Sequence, residues 1–352
     1  AASAPKTWTN EPTLVLVMDG MGESYRTMQA AVDDSDTNFV HDLMGTDAER
    51  IRQFPGQAEL RSSVGTRGWR EAESVYMVEG GDMGRLRPIW KRWTEERSPP
   101  ELYNHGFHDM ESVGALYSRM SSSIFGDWNT CGKVMGLAPW GETWAGKTNG
   151  ERGIARYDRL FSGSMGYEEC DLSVDWSAVE RIEAMGPINA WDKSWGKRGD
   201  VGGENEALRR HYTSMAASIQ NDLEEAILGL AKDLRKHTGA TTLCLAGGVA
   251  QNSVLNGILA REAGFEKTYV PPCPGDEGIS LGCALYGAHL LQTERGLLGK
   301  QGGGGGQTQD SREIDTRNTQ KFLSPHLGWK YSRSELDDAL EEFSPWIEST
   351  HR

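Results

Sequence analysis

The sequence predicts an α/β fold. The first observation is a short apolar run at 243–246, LCLA, which has the length of a buried strand and leads through two glycines into a helical pattern. The second is a further strand candidate at 267–270, so that strand, helix and strand follow one another. The third is the apolar run TLVLVM at 13–18. Short apolar runs that alternate with amphipathic helices are typical of a sheet covered by helices.

Other segments extend this framework. Residues 74–78 form another strand candidate, and apolar residues recur at helical spacing in 109–126. The segment 85–97 is basic with two interleaved tryptophans, and we interpret it as a surface helix with half-buried tryptophans rather than as a nucleic-acid-binding segment. The longest predicted helix covers 204–237, and we expect it to pack against the sheet as a scaffold without chemistry.

The junction at Gly247 and Gly248 favours a binding function. A strand that ends in two glycines and feeds a helix lets a ligand approach bare backbone and directs free N–H groups at it, which suits phosphate. The turn PPCPG at 271–275 then leads to Asp276 at the second strand–helix junction. We therefore expect Asp276 to face the same crevice. The alternative is an ordinary crossover whose glycines only permit tight packing.

Asp19 ends the first strand, with Gly20 and Gly22 close behind it. An aspartate in this setting can hold a metal ion or a phosphate-bound metal, because the glycines leave room. The alternative is a hairpin turn, where Asp-Gly is common. The stretch GKVMGLAPWG at 132–141 predicts a shaped loop in which Lys133 meets an anion, and the alternative there is a solvent-facing lysine.

Composition excludes several classes of protein. The chain has 352 residues, of which 37% are hydrophobic and 25% charged, as in soluble globular proteins. A net charge of −14 argues against a general nucleic-acid binder. No run of about 18 apolar residues occurs, which predicts no membrane span. The five cysteines are scattered without CxxC spacing, which favours a reducing compartment, and we expect a cytoplasmic protein.

Five short motifs occur in order along the chain. They are VMDGMGE at 17–23, GKVMGLAPWG at 132–141, MAASIQNDLEEAIL at 215–228, LCLAGGVAQN at 243–252 and PGDEGISLGCAL at 274–285. Together they resemble the O-carbamoyltransferases of the NodU/CmcH type, which serve antibiotic, toxin and nodulation-factor biosynthesis. The resemblance spans nearly the whole chain, and SPHLGWKYS at 324–332 is similar to the family's passage into its C-terminal domain.

The resemblance implies a two-lobed fold of the actin, sugar-kinase and Hsp70 superfamily, with ribonuclease-H-like lobes around a nucleotide cleft. It implies a carbamoyl-transfer domain at 1–297 and the start of an incomplete carbamoyl-adenylate-forming domain at 323–352. The segment 298–322 contains five consecutive glycines and is interpreted as a linker or insertion. We expect a chain truncated at both ends, with its N-terminal strands partly missing.

The resemblance also implies a reaction. The C-terminal domain, which this chain largely lacks, makes carbamoyl-adenylate from carbamoyl phosphate and ATP, and the first domain transfers the carbamoyl group to a hydroxyl of a small-molecule acceptor. Asp19 and Asp276 match two ligands of a divalent metal, generally iron(II). Two histidines, expected to precede Ala1, complete the family's ligand set. Imidazole and carboxylate ligands suit iron, manganese and zinc alike.

The mechanism expected for the complete protein gives roles to further residues around this metal site. Gly247 and Gly248 are expected to hold the adenylate phosphate, and Asn252 to contact the nucleotide. Glu23 is a further catalytic candidate near the metal ligands, or else a surface carboxylate. Gly20, Gly22 and Lys133 are candidates for binding the cofactor. The predicted partners are carbamoyl-adenylate, a hydroxyl acceptor and the missing domain, with no nucleic acid.

Two other hypotheses of function stay open. The chain could be a relative that hydrolyses nucleotides or transfers phosphoryl groups in the same cleft. It could also be a non-catalytic fragment that only binds a nucleotide.

Overall fold

The structure is a computed structural model that describes most of the predicted framework. The described residues are 11–25, 28, 51–56, 59–60, 68–78, 86–96, 110–141, 159–184, 187, 204–288, 291 and 332–343. The chain forms two compact units, Ala1–Gly305 and Gly306–Arg352. The predicted linker at 298–322 lies outside the described residues, so the predicted domain boundaries stay a prediction.

The first unit contains a six-stranded mixed sheet, which confirms the α/β prediction. Its strands lie in the order β2–β4–β3–β1–β7–β8. The strand ranges are β1 Thr13–Met18, β2 Arg52–Phe54, β3 Gly68–Val78, β4 Leu86–Glu96, β7 Thr242–Ala246 and β8 Lys267–Tyr269, with a separate pair β5 Phe161–Ser162 and β6 Ser173–Val174. Strand β1 pairs antiparallel with β3 and parallel with β7, and β7 pairs parallel with β8.

Helices and 3-10 turns follow the strands. The helices are α1 Val113–Phe125, α2 Cys131–Leu137, α3 Trp176–Glu183, α4 Glu204–Thr238, α5 Ser253–Glu262 and a helical segment at 279–288. The 3-10 turns are Trp128–Thr130, Ala138–Trp140, Gly248–Gln251 and Asp276–Gly278. Helix α4 packs against α1, α2 and α5. In the part of the chain described here, no helix combines the length and the hydropathy needed to span a bilayer.

The second unit is described only at 332–343. It contains helix α6, Arg333–Phe343, whose side chains are exposed. The helix begins with a capping box, in which the Ser332 hydroxyl accepts the Glu335 N–H and the Glu335 carboxylate accepts the Ser332 N–H.

Strand β1 is apolar on both of its faces because both faces are buried. Leu14, Leu16 and Met18 belong to the large core that the helices share with the sheet. Val15 belongs to a smaller cluster with Val78 and Cys244. A strand buried on both sides has no solvent-facing positions, which explains why its sequence is a continuous apolar run without alternation.

The predicted surface helix at 85–97 is wrong, because its described part is strand β4. Trp90 and Trp93 are buried, and so are the charged residues Lys91 and Arg92. Lys91 lies 2.5 Å from a carboxylate oxygen of Glu71 on β3. The charges therefore mark interior ion pairs and not a solvated helix face, which is why the basic pattern was misleading.

The predicted shaped loop at 132–141 is also wrong. Its residues form α2 and the 3-10 turn Ala138–Trp140. Gly132 and Gly136 have open space where a Cβ would lie, so these glycines are not required for a turn. Helical hydrogen bonds and the burial of Val134 outweigh the low helix propensity of glycine here.

A buried ion pair joins the sheet to the start of α1. Arg92 on β4 donates from Nε to Glu73 Oε2 on β3 at 2.7 Å. Glu73 Oε1 accepts the N–H of Val113, the first residue of α1, at 2.8 Å. Arg92 also donates to the carbonyl of Glu111 at 2.7 Å. The carboxylate thus interacts with both a guanidinium and the positive end of a helix, which fixes the position of α1.

The first turn of α1 in turn contacts the backbone at the end of β1. Ser112 caps α1 by accepting the Ala115 N–H at 3.0 Å, and its hydroxyl donates to the carbonyl of Gly20 at 2.5 Å. A Cβ on Gly114 would lie 2.5 Å from the carbonyl oxygen of Asp19. The helix and the strand end are therefore in direct backbone contact, and only glycine fits at position 114.

We expect Arg92→Met to lower the free energy of unfolding by about 3–5 kcal/mol, because it leaves the Glu73 carboxylate buried without a counter-ion. The matched control is Arg159→Met, which removes an exposed ion pair with Glu225 and is expected to cost less than about 1 kcal/mol. Urea unfolding followed by tryptophan fluorescence measures both. Equal losses in the two variants would contradict the assigned role of Glu73.

Gly114→Ala is expected to lower the free energy of unfolding by about 1–3 kcal/mol, because the added methyl group overlaps the Asp19 backbone. Gly136→Ala, at an open position of α2, is the control and is expected to be neutral or stabilising by about 0.5–1 kcal/mol. Thermal unfolding compares the two. A Gly114→Ala protein as stable as wild type would show that α1 does not press against Asp19.

Candidate active site

One cleft lies at the carboxyl ends of β1, β7 and β8. Its volume is about 490 Å³, which is within the range of small-molecule sites. Five predicted site residues line it, namely Asp19, Gly20, Gly248, Asn252 and Asp276. They come from the segments that directly follow β1, β7 and β8, as expected for strand-end residues of a parallel sheet region.

Asp19 faces the segment after β7 because of the register of the two strands. Val17 pairs with Ala246 in the parallel ladder, so that Asp19 comes opposite Gly248 two residues later. Asp19 Oδ2 accepts the N–H of Gly248 at 2.9 Å, and Oδ1 accepts the N–H of Gly20 at 2.6 Å. Each carboxylate oxygen has acceptor capacity for a second partner.

Gly247 is required by the close packing of the chain against β1. Its φ is +89°, and a Cβ at this position would lie 2.0 Å from the carbonyl oxygen of Met18. Its N–H donates to the carbonyl of Pro274 at 2.7 Å. This bond connects the end of β7 to the turn that leads to Asp276. The tight-packing interpretation therefore describes Gly247, which is not among the residues that line the cleft.

The helix predicted after the glycines is confirmed as α5, which a short 3-10 turn separates from the glycine pair. Gly248–Gln251 is a short 3-10 turn, and α5 begins only at Ser253. Asn252 caps α5, with its side chain accepting the Leu255 N–H at 3.1 Å. The capping geometry places the first α-helical turn after this asparagine and not after the glycine pair.

Asp276 lines the cleft from the segment after β8. It begins the 3-10 turn Asp276–Gly278, which leads into the helical segment at 279–288. Gly278 packs closely against the turn, since a Cβ there would lie 2.0 Å from the Cys273 carbonyl oxygen. Asp19 and Asp276 thus contribute to the wall of the same cleft.

By the chemistry of their oxygen atoms, these two carboxylates could contribute to the ligand set of a divalent cation. Carboxylate oxygens are suitable ligands for iron(II), manganese and magnesium, and Asp19 has acceptor capacity beyond its two backbone hydrogen bonds. Within the described ranges, no group of three or more His, Cys, Asp or Glu residues could hold a metal ion. Asp19 and Asp276 correspond to two of the four ligands that the resemblance implies.

Besides Gly247, three predicted site residues do not line the cleft. Gly22 donates its N–H to the Glu71 carbonyl at 2.8 Å, and a Cβ there would lie 2.7 Å from that oxygen. The exposed Glu23 accepts the Ser24 N–H at 2.7 Å. Lys133 is exposed on α2, with Nζ 5.6 Å from the ring centroid of Phe125. Close packing accounts for Gly22, and the roles predicted for Glu23 and Lys133 stay predictions.

Tyr117 and Gln220 are polar residues to which sequence reasoning gave no role at this site. Tyr117 on α1 lines the cleft, and its hydroxyl donates to Oε1 of Gln220 on α4 at 2.7 Å. Asn252 Nδ2 donates to the same oxygen at 2.9 Å. Gln220 lies inside the motif MAASIQNDLEEAIL, in the helix that we interpreted from its apolar periodicity as a scaffold without chemistry. A polar amide at a core-facing position of that helix was the available signal.

Burial keeps the Tyr117 hydroxyl and the Cys131 thiol of the cleft wall uncharged. It raises the pKa of Tyr117 well above its usual value, so the hydroxyl stays protonated and acts as a donor to Gln220. Burial also raises the pKa of Cys131, whose sulfur lies 3.4 Å from Ser118 Oγ. A thiol with a raised pKa is a poor nucleophile at neutral pH, and Cys131 is therefore a wall residue.

The rest of the wall is mostly apolar and can cover a flat ligand group. It includes Met21, Met135, Leu223, Val249 and the half-exposed Trp128. Aromatic and thioether side chains pack well against planar groups. The cleft thus combines an acidic end at the strand termini with an apolar side.

Comparison with known proteins identifies the family of this chain. The profile of the family described as Carbamoyltransferase N-terminus matches residues 7–285. Nodulation protein NolO of Bradyrhizobium diazoefficiens is 34% identical over 183 residues, which cover 51% of this chain and 29% of NolO. Nodulation protein NolNO of Sinorhizobium fredii is 29% identical over 189 residues, which cover 53% of this chain and 24% of NolNO.

A third relative is the uncharacterized protein sll1178 of Synechocystis. It is 31% identical over 229 residues, which cover 63% of this chain and 34% of that protein. The chain thus matches about a third or less of the length of these curated relatives. The profile match covers well over half of the chain, and the chain therefore belongs to the carbamoyltransferase family, of the NodU/CmcH type that its five motifs indicate, with residues 7–285 corresponding to the family's N-terminal part.

Proposed function

We propose that this chain carries out the transfer half of an O-carbamoylation, in which a carbamoyl group passes from carbamoyl-adenylate to a hydroxyl of a small-molecule acceptor. The observation that carries the proposal is the cleft in which Asp19, Gly248 and Asp276 come together from three neighbouring strand ends. This cleft lies in the part of the chain that matches the carbamoyltransferase family. Two relatives are named as nodulation proteins, which supports an acceptor from specialised biosynthesis.

The bond changes define what the cleft has to stabilise. The acceptor oxygen forms a bond to the carbamoyl carbon, the bond from that carbon to the phosphate oxygen of AMP breaks, and AMP leaves with the electron pair. The hydroxyl proton passes to water. Negative charge therefore grows first on the carbamoyl oxygen and then on the phosphate of the leaving group, and both need nearby positive charge or N–H donors.

Each charge has a candidate partner in the cleft. Asp19 and Asp276 would hold the divalent metal, which when bound supplies Lewis-acid stabilisation of the carbamoyl oxygen. The Gly248 N–H would donate to the leaving phosphate. Because this N–H donates to Asp19 in the structure, phosphate has to replace the carboxylate as its acceptor. The apolar wall would cover the nucleotide base.

We also propose that the six-stranded sheet and its helices form one lobe of the actin-like, two-lobed fold that the resemblance implies. Support comes from the mixed sheet, in which two parallel neighbours, β7 and β8, follow an antiparallel set, β4, β3 and β1. The carbamoyl-adenylate itself would be made by a further domain of the whole protein, as the resemblance implies.

The test of function uses the full-length protein from its gene, supplied with carbamoyl phosphate, ATP and candidate hydroxyl acceptors. We expect Asp19→Asn and Asp276→Asn to reduce carbamoylated product by more than about 100-fold, since even outer-shell partners of a metal cost about 10–100-fold. Both variants are also expected to lose bound metal, measured by elemental analysis, while formation of carbamoyl-adenylate from carbamoyl phosphate and ATP persists. Glu262→Gln, exposed on α5, is the charge-matched control.

Other outcomes of this experiment identify the competing hypotheses. Nucleotide turnover without carbamoyl phosphate would favour a hydrolase or phosphoryl-transferring relative. Nucleotide binding without any turnover in the full-length protein would favour a non-catalytic binding module. Full activity and full metal content in Asp276→Asn would contradict the metal assignment.

A second prediction follows from the bond between Asp19 and Gly248. In the presence of a chelator, Asp19→Ala should bind AMP about 10-fold more tightly than wild type, because the freed N–H can donate to phosphate and a hydrogen bond to a charged group contributes about 1.5–3 kcal/mol. Asp276→Ala is the control, since it removes the same charge from the cleft without releasing this N–H. Calorimetric titration with AMP measures both.

An equal gain in AMP affinity in the two variants would assign the effect to charge alone. A weaker affinity in Asp19→Ala would show that Gly248 does not bind the phosphate.

A further inference from the structure

A glutamine that does not itself line the cleft holds together two residues that do. Gln220 on α4 is buried, with 5% of its surface exposed. Its Oε1 accepts from the Tyr117 hydroxyl at 2.7 Å and from Asn252 Nδ2 at 2.9 Å. Its Nε2 donates to Glu224 Oε1 at 2.7 Å and to Asn252 Oδ1 at 3.3 Å. The amide thus accepts twice and donates twice, which uses its hydrogen-bonding capacity fully.

The direction of every bond in this network follows from one backbone group. The Leu255 N–H can only donate, so the Asn252 atom that it contacts is the oxygen. The Asn252 nitrogen therefore faces Gln220 and needs an acceptor there, which makes the nearer Gln220 atom Oε1. Gln220 Nε2 then faces the Glu224 carboxylate, which can only accept when it is ionised. The Tyr117 hydroxyl has to donate to Oε1.

Three elements that are distant in sequence meet at this glutamine. Tyr117 comes from α1, Gln220 from α4 and Asn252 from the turn before α5. Tyr117 and Asn252 form part of the cleft wall, whereas Gln220 lies behind them. A buried polar network whose members are all satisfied favours one arrangement of its side chains over others. The position of both wall residues therefore depends on one amide.

We propose that Gln220 is a positioning residue of this cleft, which holds Tyr117 and Asn252 in the arrangement that binds the nucleotide part of the substrate. The identity of that ligand rests on the proposed function. The physical reason is preorganisation, because side chains that are already ordered before binding lose less entropy when the ligand arrives. Without the amide, the two wall residues would have to be ordered by the ligand, and its affinity would fall.

The test uses variants of the full-length protein with AMP and ATP as probes. Gln220→Met keeps the length of the side chain but removes all of its amide hydrogen bonds. The double variant Gln220→Glu with Glu224→Gln keeps the net charge and provides acceptors for the Tyr117 hydroxyl and Asn252 Nδ2. The new amide at 224 can donate back to position 220, and of the four amide bonds only the longest one, to Asn252 Oδ1, has no replacement. Asp222→Asn is the control for stability, because Asp222 is a buried residue of α4 that holds the N–H groups of Leu160 and Phe161.

Two measurements are made at a temperature where all variants are folded. Calorimetry is expected to show about 10-fold weaker AMP binding for Gln220→Met, recovery towards wild type in the double variant, and wild-type binding for Asp222→Asn despite a lower melting temperature. Hydrogen exchange of the Leu255 amide is expected to accelerate in Gln220→Met only, because Asn252 loses the partner that orients its cap.

The proposal is overturned if folded Gln220→Met binds AMP as wild type does, or if the double variant shows no recovery. If the wild-type protein binds neither AMP nor ATP, the proposed function is what fails. The Leu255 exchange rate then decides the positioning role alone, and an unchanged rate in Gln220→Met would overturn it.

Discussion

The parallel register of β1 and β7 is the constraint on which the candidate site depends. It sets Val17 against Ala246 and thereby brings Asp19 to the N–H of Gly248. Side chains alternate between the two faces of a strand, so a shift of one residue would turn Asp19 away from the segment after β7. The positive φ of Gly247 lets that segment pass within contact distance of the Met18 carbonyl.

A buried ion pair on β3 and β4 also fixes the position of the C-terminal end of β1, through helix α1. Glu73 has no exposed surface, yet it pairs with Arg92 and accepts the first N–H of α1. Such a buried pair is poor in net stabilisation, because desolvation offsets most of its Coulomb energy, but it strongly disfavours arrangements in which either charge loses its partner. Its effect here is geometric, since it fixes the helix that presses Gly114 against the backbone of Asp19.

The elements that sequence reasoning predicted well are those with a strong apolar period. The predicted strand at 13–18 has the observed bounds of β1, and the predicted helix at 204–237 differs from α4 by one residue. Strand β4 was missed because its charged residues are buried in pairs, and a pair is invisible without the partner strand. Periodicity indicates which face of an element is apolar, but it does not indicate which charged residues form ion pairs in the protein interior.

Part of the candidate site could likewise be predicted from local sequence patterns, and part could not. That Asp19 and Asp276 line one cleft could be predicted, because Asp19 directly follows β1, Asp276 follows the turn after β8, and strand ends of a parallel region meet at one edge. The network around Gln220 could not, because its partners are separated by 103 and 32 residues. Only the packing of α1 and α5 against α4 brings those side chains together, and no local pattern encodes it.

The hydrogen bond from the Gly248 N–H to Asp19 connects the proposed binding of the cation with that of the adenylate phosphate. A single N–H has one strong acceptor at a time, so the carboxylate and a phosphate compete for it. A cation on Asp19 withdraws electron density from the carboxylate and weakens it as an acceptor, which makes exchange for phosphate easier. The effect would be reciprocal, because a phosphate that accepts the Gly248 N–H would free the Asp19 carboxylate to bind the cation. Under the proposed function, the cation and the adenylate would therefore bind cooperatively through Asp19.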